Sequence, residues 1–233
     1  MPRSSRRVRR VHSARPFRPA AGAVAALLAA GLGLATLASA APSPATDPKV
    51  VYLTFDDGPS PQYTVQILAV LARYGVPATF FEVGQNVVAN PGVTGQAARQ
   101  GESVQNHSWA HPDLRTLSLA DFNAQILKTD RAIRAQTGTT PTCLRPPYGL
   151  VNRTVRARAA ALGKTVKLWT VDPADWSRPG THTIEQRVLT ATRPGSVILL
   201  HDGGGDRSQT VAALPTILTN LHQHGYTFRR LCR

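Results

Sequence analysis

The sequence predicts an α/β domain in which about seven parallel strands alternate with helices. From residue 50 to the C-terminus, short apolar runs alternate with longer segments that carry apolar residues at helical spacing. Five of the apolar runs are followed directly by polar or charged residues. Parallel α/β folds keep their functional side chains at the carboxyl ends of the strands, so a candidate site is expected there. A barrel and an open sheet both satisfy this alternation.

The first half of the domain contains three predicted strands. The apolar run at 50–55 predicts a buried strand, and the runs at 78–83 and 103–106 predict the next two. Residues 62–74 predict a helix, because apolar side chains share one face and a glycine follows: Val65, Leu68, Leu71 and Gly75. A weaker helical pattern covers 93–99 and also ends at a glycine.

A long helix and two further strands follow. Ser118 is a predicted N-cap, because its side chain can accept a hydrogen bond from the first helical turn, and Gly138 ends the helix. The buried stripe of this helix is formed by Phe122, Ile126 and Ile133. Strands at 142–145 and 165–170 flank a helix at 152–162.

The last part of the chain predicts a helix at 184–191, an apolar strand at 197–200, a helix at 210–224 and a closing strand at 226–231. Strand and helix thus alternate about seven times, which indicates crossover helices and therefore parallel strands. There is no sequence repeat and no dinucleotide-binding fingerprint.

Residues 1–40 have the features of an export signal. They contain seven arginines and no acid, with an uncharged run at 20–37 and a small-x-small cleavage pattern ending at Ala40. An uncleaved membrane anchor is the alternative, because the run approaches the roughly 20 residues that span a bilayer. The paired arginines are compatible with twin-arginine export. We expect cleavage near Ala40, a linker at 41–48, one domain at 49–233, and a secreted or wall-associated product with no membrane span in its mature form.

The export signal accounts for half of the net charge. The whole chain carries +14, and removing the seven arginines leaves 20 basic against 13 acidic residues, or about +7. No block of lysines or arginines remains in the folded part, which argues against nucleic acid as a partner. A moderate positive charge suits an anionic partner such as a bacterial wall polymer.

The chain has two cysteines, Cys143 and Cys232. In an exported protein we expect them to form a disulfide, and two buried thiols are the alternative. The bond would close nearly the whole second half of the domain and contribute on the order of 4 kcal/mol in the chain-entropy model.

Two neighbouring carboxylates end the first predicted strand. Asp56 and Asp57 precede a Gly-Pro turn, so both can face one cavity, and their repulsion requires a nearby cation or a retained proton. His107 and His111 are four residues apart, a spacing that puts both imidazoles on one face of a helical turn. One carboxylate with two imidazoles is the donor set of a catalytic zinc site, and cobalt or nickel fits the same donors. A histidine pair that only caps and packs is the alternative.

Five motifs together resemble the polysaccharide deacetylases, which are carbohydrate esterase family 4 with its NodB homology domain. They are Thr-Phe-Asp-Asp-Gly-Pro at 54–59, His-Ser-Trp-Ala-His at 107–111, Arg-Pro-Pro-Tyr-Gly at 145–149, Asp-Pro-Ala-Asp-Trp at 172–176 and Leu-Leu-His-Asp at 199–202. The match runs in order through the whole domain, and the first and third motifs are the most specific. The resemblance implies an irregular (β/α) barrel and a zinc-dependent hydrolase that removes acetyl groups from sugars.

The resemblance also implies roles for individual residues. Asp57, His107 and His111 would be the metal ligands. Asp56 would be the general base that takes a proton from the attacking water. Arg145 would pair with Asp56 and keep it ionised.

The remaining motif residues are expected around the substrate. The backbone N–H of Tyr148 would stabilise the oxyanion, and His201 would be the general acid that protonates the departing amine. Asp175 would raise the pKa of His201, with Asp172 as a second candidate for that role. The side chains expected to wall the acetyl methyl pocket, for which ordinary core packing is the alternative, are Trp176 and Leu199.

The leading function is therefore removal of N-acetyl groups from amino-sugar glycans, with peptidoglycan and chitin oligosaccharides as the first candidate substrates. An acetylxylan O-deacetylase is the alternative within the same chemistry. An inactive carbohydrate-binding module on the same fold is the alternative from another class; loss of Asp56 or His201 would indicate it, and both are present. We expect an N-acetylated polysaccharide or oligosaccharide as the binding partner and a monomeric enzyme.

Overall fold

The computed structural model describes residues 49–232, so the predicted export signal at 1–40 and the linker at 41–48 lie outside the described residues. The strands within 49–232 are β1 (Lys49–Asp56), β2 (Thr79–Glu82), β3 (Ser103–Asn106), β4 (Cys143–Leu144), β5 (Thr165–Val166), β6 (Val197–His201) and β7 (Tyr226–Phe228). The α-helices are α1 (Tyr63–Tyr74), α2 (Gly84–Ala89), α3 (Val93–Arg99), α4 (Leu119–Thr137), α5 (Arg153–Ala161), α6 (Thr181–Ala191) and α7 (Ser208–Gln223). Two short 3-10 helices span Pro147–Gly149 and Asp175–Ser177.

The strands form one curled parallel sheet in the order β5-β4-β3-β2-β1-β6, with β7 beside β1. The first half of β1 pairs with β7, and its second half pairs with β2 and β6. A bridge between Val171 and Ile198 brings the chain after β5 across to β6. The sheet therefore forms a curled half-barrel, and the predicted α/β class with parallel strands is confirmed.

The helices pack against the sheet through apolar clusters. The largest cluster joins β1, β2 and β6 to α1, α6 and α7, and it includes Phe55, Phe80 and Leu214. A second cluster joins α4 and α5 to β4, and it includes the predicted stripe residues Phe122 and Ile126. Burial of these side chains is the main stabilising contribution, at about 25 cal/mol per Å² of apolar surface.

The predicted strand at 165–170 is wrong in its second half. Regular pairing with β4 ends at Val166, and the chain then turns toward β6. The carbonyl groups of Lys167 and Leu168 accept hydrogen bonds from the guanidinium of Arg145 instead of from a neighbouring strand. The buried guanidinium of Arg145 requires hydrogen-bond acceptors, and this requirement decides the backbone path of residues 167–168 over the strand propensity of the apolar run.

Helix α2 has no counterpart in the sequence prediction. It has six residues and begins at a glycine, so its intrinsic propensity is weak. Its first two N–H groups donate to the carbonyls of Ser108 and Trp109, so contacts with a distant loop fix it. Several predicted boundaries are also wrong. The largest differences are that α6 begins at Thr181 rather than at 184 and that β7 ends at Phe228 rather than at 231. In addition, β4 is shorter than the predicted 142–145, and α7 begins at Ser208 rather than at 210.

The predicted disulfide between Cys143 and Cys232 is formed. Both residues are buried, and the bond joins the start of β4 to the end of the described chain. Across residues 49–232, no helix combines the length and the apolar character needed to cross a membrane.

Candidate active site

Two carboxylates meet at the carboxyl end of β1. Asp56 is the last residue of the strand, is buried, and is in register with His201 of β6. Asp57 follows with a φ of 73°, in the left-handed region, which takes its side chain out of the alternation of the strand. The side-chain amide of Asn86 donates to the Asp57 carbonyl at 2.8 Å and holds this turn. Both carboxylates consequently line one cavity.

Arg145 holds Asp56 in one orientation. Its Nη1 donates to Asp56 Oδ1 at 2.7 Å and to Thr54 Oγ1 at 2.8 Å. The guanidinium is fully buried and lies 4.1 Å from the centroid of the Phe81 ring. Burial lowers the pKa of Arg145, and the charge of Asp56 partly offsets that shift. The second carboxylate oxygen, Oδ2, remains directed into the site, 3.6 Å from His107 Nε2.

The three predicted metal ligands converge. Oδ1 of Asp57 lies 3.4 Å from Nε2 of His107 and 3.2 Å from Nε2 of His111. Nδ1 of His107 lies 2.7 Å from the carbonyl oxygen of Arg145. Because a carbonyl only accepts, Nδ1 carries the hydrogen and the Nε2 lone pair of a neutral ring is available. A carboxylate and two imidazoles within 4.8 Å of one another, one ring fixed by a backbone carbonyl, fit a divalent transition metal.

The electrostatics of this cluster favour a bound cation. Burial alone would raise the pKa of Asp57, but the hydrogen bond and charge of His107, with the other imidazoles, lower it well below its usual range. Burial and then the charge of His107 lower the pKa of His111, which favours the neutral ring that binds a metal. Burial would also lower the pKa of His107, but Asp56 and Asp57 raise it. The negative charges of Asp56 and Asp57 therefore favour a positive charge between them and the two imidazoles. Either a protonated imidazole or a bound metal ion can provide that charge.

The loop that carries both histidines is not a helical turn, so that prediction is wrong. Ser108 and His111 have φ values of 68° and 58°, which no right-handed helix contains. The Ser108 hydroxyl accepts from the His111 N–H at 3.1 Å, and Gln125 Oε1 accepts from the two intervening N–H groups at 2.9 Å. In this loop, the Ser108 hydroxyl and the Gln125 amide oxygen accept the hydrogen bonds that backbone carbonyls would accept in a helix. The spacing of the two histidines therefore does not predict how their rings come to lie beside Asp57.

His201 ends β6 beside Asp56. Its Nδ1 lies 2.7 Å from Asp175 Oδ1, and its backbone N–H donates to Asp175 Oδ2 at 2.9 Å. The hydroxyl of Thr210 donates to the same Oδ2 at 2.7 Å. Burial alone would lower the pKa of His201, but the hydrogen bond and charge of Asp175, with the charges of Asp56 and Asp57, raise it. The imidazole is therefore held in a form that can donate a proton.

Two other acids near the site have different surroundings. Asp172 accepts a hydrogen bond from the Ala174 N–H at 2.7 Å, so Asp175 and not Asp172 bonds His201. Asp202 is fully buried and accepts from the Thr64 hydroxyl at 2.5 Å. Burial, with the nearby charges of Asp57 and Asp56, raises the pKa of Asp202 to about 7.

These side chains surround a cavity of about 430 Å³. Tyr148 and Trp176 are 65% and 56% exposed at its edge, whereas Leu199 is buried. The Tyr148 ring packs edge-on against His111, with centroids 4.5 Å apart. The cavity is lined by Asp56, Asp57, His107, His111, Tyr148, Trp169, Asp172, Trp176, Leu199 and His201. Of these, Trp169 was not predicted, because it lies within the apolar run that was interpreted as a strand.

A glycine loop presses against Asp57 from the β6 side. A Cβ on Gly203 would lie 2.0 Å from the Asp57 carbonyl oxygen, and one on Gly204 would lie 2.8 Å from Asp57 Oδ2. Buried Arg207 fastens this loop, since it donates to the carbonyls of Gly203 at 2.7 Å, Gly204 at 3.0 Å and Trp176 at 3.3 Å. The motifs do not predict this arrangement, although three consecutive glycines follow the last of them in the sequence.

Comparison with known proteins gives a consistent result. The family model described as Polysaccharide deacetylase matches residues 43–167, which is more than half of the chain. A chitooligosaccharide deacetylase of Sinorhizobium fredii is 42% identical over 201 residues, covering 82% of this chain and 94% of its own. A peptidoglycan-N-acetylglucosamine deacetylase of Bacillus cereus is 39% identical over 182 residues, covering 77% of this chain and 85% of its own.

A solved structure agrees with these relatives. The crystal structure of a peptidoglycan N-acetylglucosamine deacetylase superimposes with a TM-score of 0.77 at 34% sequence identity. The alignment covers 79% of this chain and 87% of that one.

Proposed function

Because the chain belongs to the polysaccharide deacetylase family, we propose that it removes acetyl groups from the amino sugars of N-acetylated glycans, with peptidoglycan and chitin oligosaccharides as its substrates. One observation carries the proposal: a carboxylate held by a buried arginine and an imidazole held by a buried carboxylate flank the Asp57–His107–His111 cluster in one cavity. The relatives named as chitooligosaccharide and peptidoglycan deacetylases support the choice of N-acetylated substrates.

We assign Asp57, His107 and His111 as ligands of a divalent metal ion, with zinc as the metal. The support is the donor chemistry, since one carboxylate and two imidazoles leave coordination positions for water and substrate. When bound, such an ion polarises the acetyl carbonyl and makes a coordinated water more acidic. Cobalt fits the same donors and would be expected to replace zinc.

In the proposed reaction, Asp56 is the general base. It takes a proton from the water whose oxygen attacks the acetyl carbon, and Arg145 keeps its carboxylate in position throughout. The backbone N–H of Tyr148 donates to the oxygen that becomes negative as the carbon turns tetrahedral. The position of Tyr148 supports this role, because it lines the cavity and its ring centroid lies 4.5 Å from that of His111.

His201 is the proposed general acid. It donates its proton to the nitrogen of the sugar as the carbon–nitrogen bond breaks, so that the products are acetate and a free amine. Asp175 holds the ring by Nδ1, which leaves Nε2 as the donating atom. Trp176 and Leu199 form the walls that receive the acetyl methyl group; their support is that both line the cavity.

We further propose that residues 1–40 direct export and are removed, and that 49–233 acts outside the cytoplasm on a wall or extracellular polymer. The disulfide between Cys143 and Cys232 supports an oxidising compartment. The arginine-rich, acid-free composition before residue 20 supports an export signal.

The test is mass spectrometry of products from the purified mature domain. Defined N-acetylglucosamine oligomers, peptidoglycan oligomers and acetylated xylan are incubated with and without a chelator, and then with zinc restored. The expected result is loss of acetyl groups from the N-acetylated substrates, abolished by the chelator and restored by zinc. Acetate release from xylan alone would favour the O-deacetylase alternative. Absence of release from every substrate, by folded protein with bound metal, would favour an inactive binding module.

A further inference from the structure

A buried chain of hydrogen bonds adjoins the histidine loop and has no part in the proposed chemistry. Nζ of Lys164 lies 2.6 Å from Oδ2 of Asp130, and the two side chains are only 3% and 9% exposed. Lys164 also donates to the carbonyl of Pro141. This ion pair joins the segment before β5 to the buried face of α4.

Asn106 is the next residue in the chain of hydrogen bonds that starts at the ion pair. Its Nδ2 donates to Asp130 Oδ1 at 2.8 Å and to the Ile126 carbonyl at 2.9 Å. Its Oδ1 accepts from the Ser108 N–H at 2.8 Å. A carboxylate and a carbonyl only accept, so the amide nitrogen must face α4 and the amide oxygen must face Ser108. Asn106 is fully buried, so bulk water does not offer alternative partners.

This orientation bears on both histidine ligands. Ser108 has a φ of 68°, which is unfavourable for a residue with a Cβ, and the bond from its N–H to Asn106 helps to hold it there. The hydroxyl of Ser108 accepts in turn from the His111 N–H. His107 lies between Asn106 and Ser108, so a shift of the Asn106 amide reaches both imidazoles.

We propose that the Lys164–Asp130 ion pair is a positioning device for the metal centre. Together with the Ile126 carbonyl it fixes the Asn106 amide, and through Ser108 it sets the directions in which His107 and His111 present Nε2. The inference rests on the metal-dependent function proposed above. A buried ion pair adds little to stability compared with apolar side chains of similar volume, whereas partners behind the ligands change metal affinity by about 10- to 100-fold. The pair thus acts on the affinity and geometry of the centre rather than on the fold.

The test uses the double variant Asp130→Leu/Lys164→Met, which removes both charges together and leaves no unpaired ion. Its zinc dissociation constant is measured by competition with a chromogenic chelator, and its thermal midpoint is measured without metal. We expect a midpoint close to that of the parent protein and zinc binding weaker by about 10- to 100-fold. The absorption spectrum of the cobalt-loaded variant should also change, because that spectrum reports ligand geometry.

Two matched variants accompany it. Lys164→Arg keeps the charge and is expected to retain most of the zinc affinity. Arg158→Met removes a basic side chain that donates at 2.8 Å to the Leu117 carbonyl, also beside α4 but not linked to Asn106, and should leave the affinity unchanged. If the double variant does not fold, Asn106→Asp is used instead: its oxygens cannot donate to Asp130, and zinc affinity should fall at least about tenfold.

The outcomes separate the two proposals. A parent protein that binds no zinc contradicts the metal centre of the proposed function. A parent protein that binds zinc, together with a folded double variant or Asn106→Asp variant of equal affinity and unchanged cobalt spectrum, overturns the positioning role alone.

Discussion

At the amino end of the strands, the turns from helix to strand place glycine in the left-handed region, whereas at the carboxyl end residues with side chains adopt that conformation alongside glycines such as Gly149 and Gly204. The glycines of the first group are Gly75, Gly101, Gly138, Gly163, Gly195 and Gly225, and none has a neighbour that a Cβ would meet. The residues of the second group are Asp57, Ser108, His111, Tyr148, Ala174 and Arg178. Each of the latter costs about 1–2 kcal/mol relative to an ordinary conformation.

This difference between the two ends of the sheet indicates that strained backbone is kept where a side chain has to face the cavity. Asp57, His111 and Tyr148 all line the 430 Å³ cavity, and a glycine at position 57 or 111 would remove the carboxylate or the imidazole that the turn presents. The amino end also has a cavity, of about 500 Å³, bordered by Glu102, Arg230 and the disulfide residue Cys232. Within residues 49–232, no cluster of three potential metal donors lines that cavity. Residues with side chains in the left-handed region therefore identify the functional end of the sheet more clearly than cavity volume does.

The largest expected effect comes from removing a proposed metal ligand at the carboxyl end. His107→Ala should lose the bound metal and lower kcat/KM on the order of 10⁴-fold, because several kcal/mol of charge stabilisation disappear. Metal analysis of the purified variant and an acetate-release assay measure both effects. Retention of stoichiometric zinc would contradict the assignment of His107.

Asp56→Asn should keep the metal and lose turnover. The amide can still accept from Arg145 through its oxygen but is too weak a base to take the proton of water, so kcat should fall on the order of 10³-fold. Metal content and the thermal midpoint are the controls, and both should match those of the parent protein. Undiminished kcat would exclude Asp56 as the base.

Adding one methyl group at each end tests the comparison directly. Gly203→Ala has an ordinary φ but would place Cβ 2.0 Å from the Asp57 carbonyl oxygen, so it should displace Asp57 and lower kcat about 10²-fold. Gly101→Ala, at a φ of +87° with open space around it, should cost about 1–2 kcal/mol in the free energy of unfolding and leave kcat unchanged. Denaturant unfolding and steady-state kinetics on both variants provide the measurements. Equal effects of the two variants on kcat would show that the two ends of the sheet do not differ in their importance for catalysis.

Glu102→Gln tests a buried charge at the amino end. Burial raises the pKa of Glu102 from 4.5 to about 7, against the opposing hydrogen bond from the Ala78 N–H and the charge of Arg230. The folded state thus holds the proton more tightly than the unfolded state, and the parent protein loses stability as the pH rises from about 4.5 to 7. The variant should lack this loss and be more stable above pH 7, by on the order of 1 kcal/mol after allowance for residual hydration. Unfolding curves at several pH values check the sign; parallel pH profiles for the two proteins would contradict it.

Ala174→Gly should give the smallest effect. Ala174 has a φ of 54° and its N–H bonds Asp172, so glycine would relieve the strained backbone but increase the freedom of the unfolded chain. The net gain in the free energy of unfolding should be under about 1 kcal/mol. Chemical denaturation measures it, and a loss of stability would show that the methyl group has a packing role.

Much of the fold follows from the sequence because its signals are local. Apolar runs and glycine-ended helices identify all seven strands, and the Ser118 and Asn152 caps bond Asp121 and Val155 as their residue types suggest. The motifs also bring the expected side chains together: the distances join Asp56 to Arg145 and His201 to Asp175.

What the sequence did not reveal depends on partners that are distant along the chain. The histidine loop takes its shape in part from Gln125, and Trp169 leaves its expected strand because Arg145 binds the carbonyls before it. Spacing does not encode these contacts, since each joins a polar side chain to a backbone group 15 to 23 residues away. Helix α2 was missed for the same reason, as its first N–H groups bond the histidine loop.

The single disulfide has a practical consequence for following this protein in solution. Cys143 and Cys232 are the sole cysteines of the chain and are bonded to each other. A cysteine introduced at the exposed Arg153 would therefore be the sole reactive thiol of the oxidised protein. A fluorophore attached there, five residues after Tyr148, would allow a fluorescence titration with glycan oligomers without any modification of the polymer.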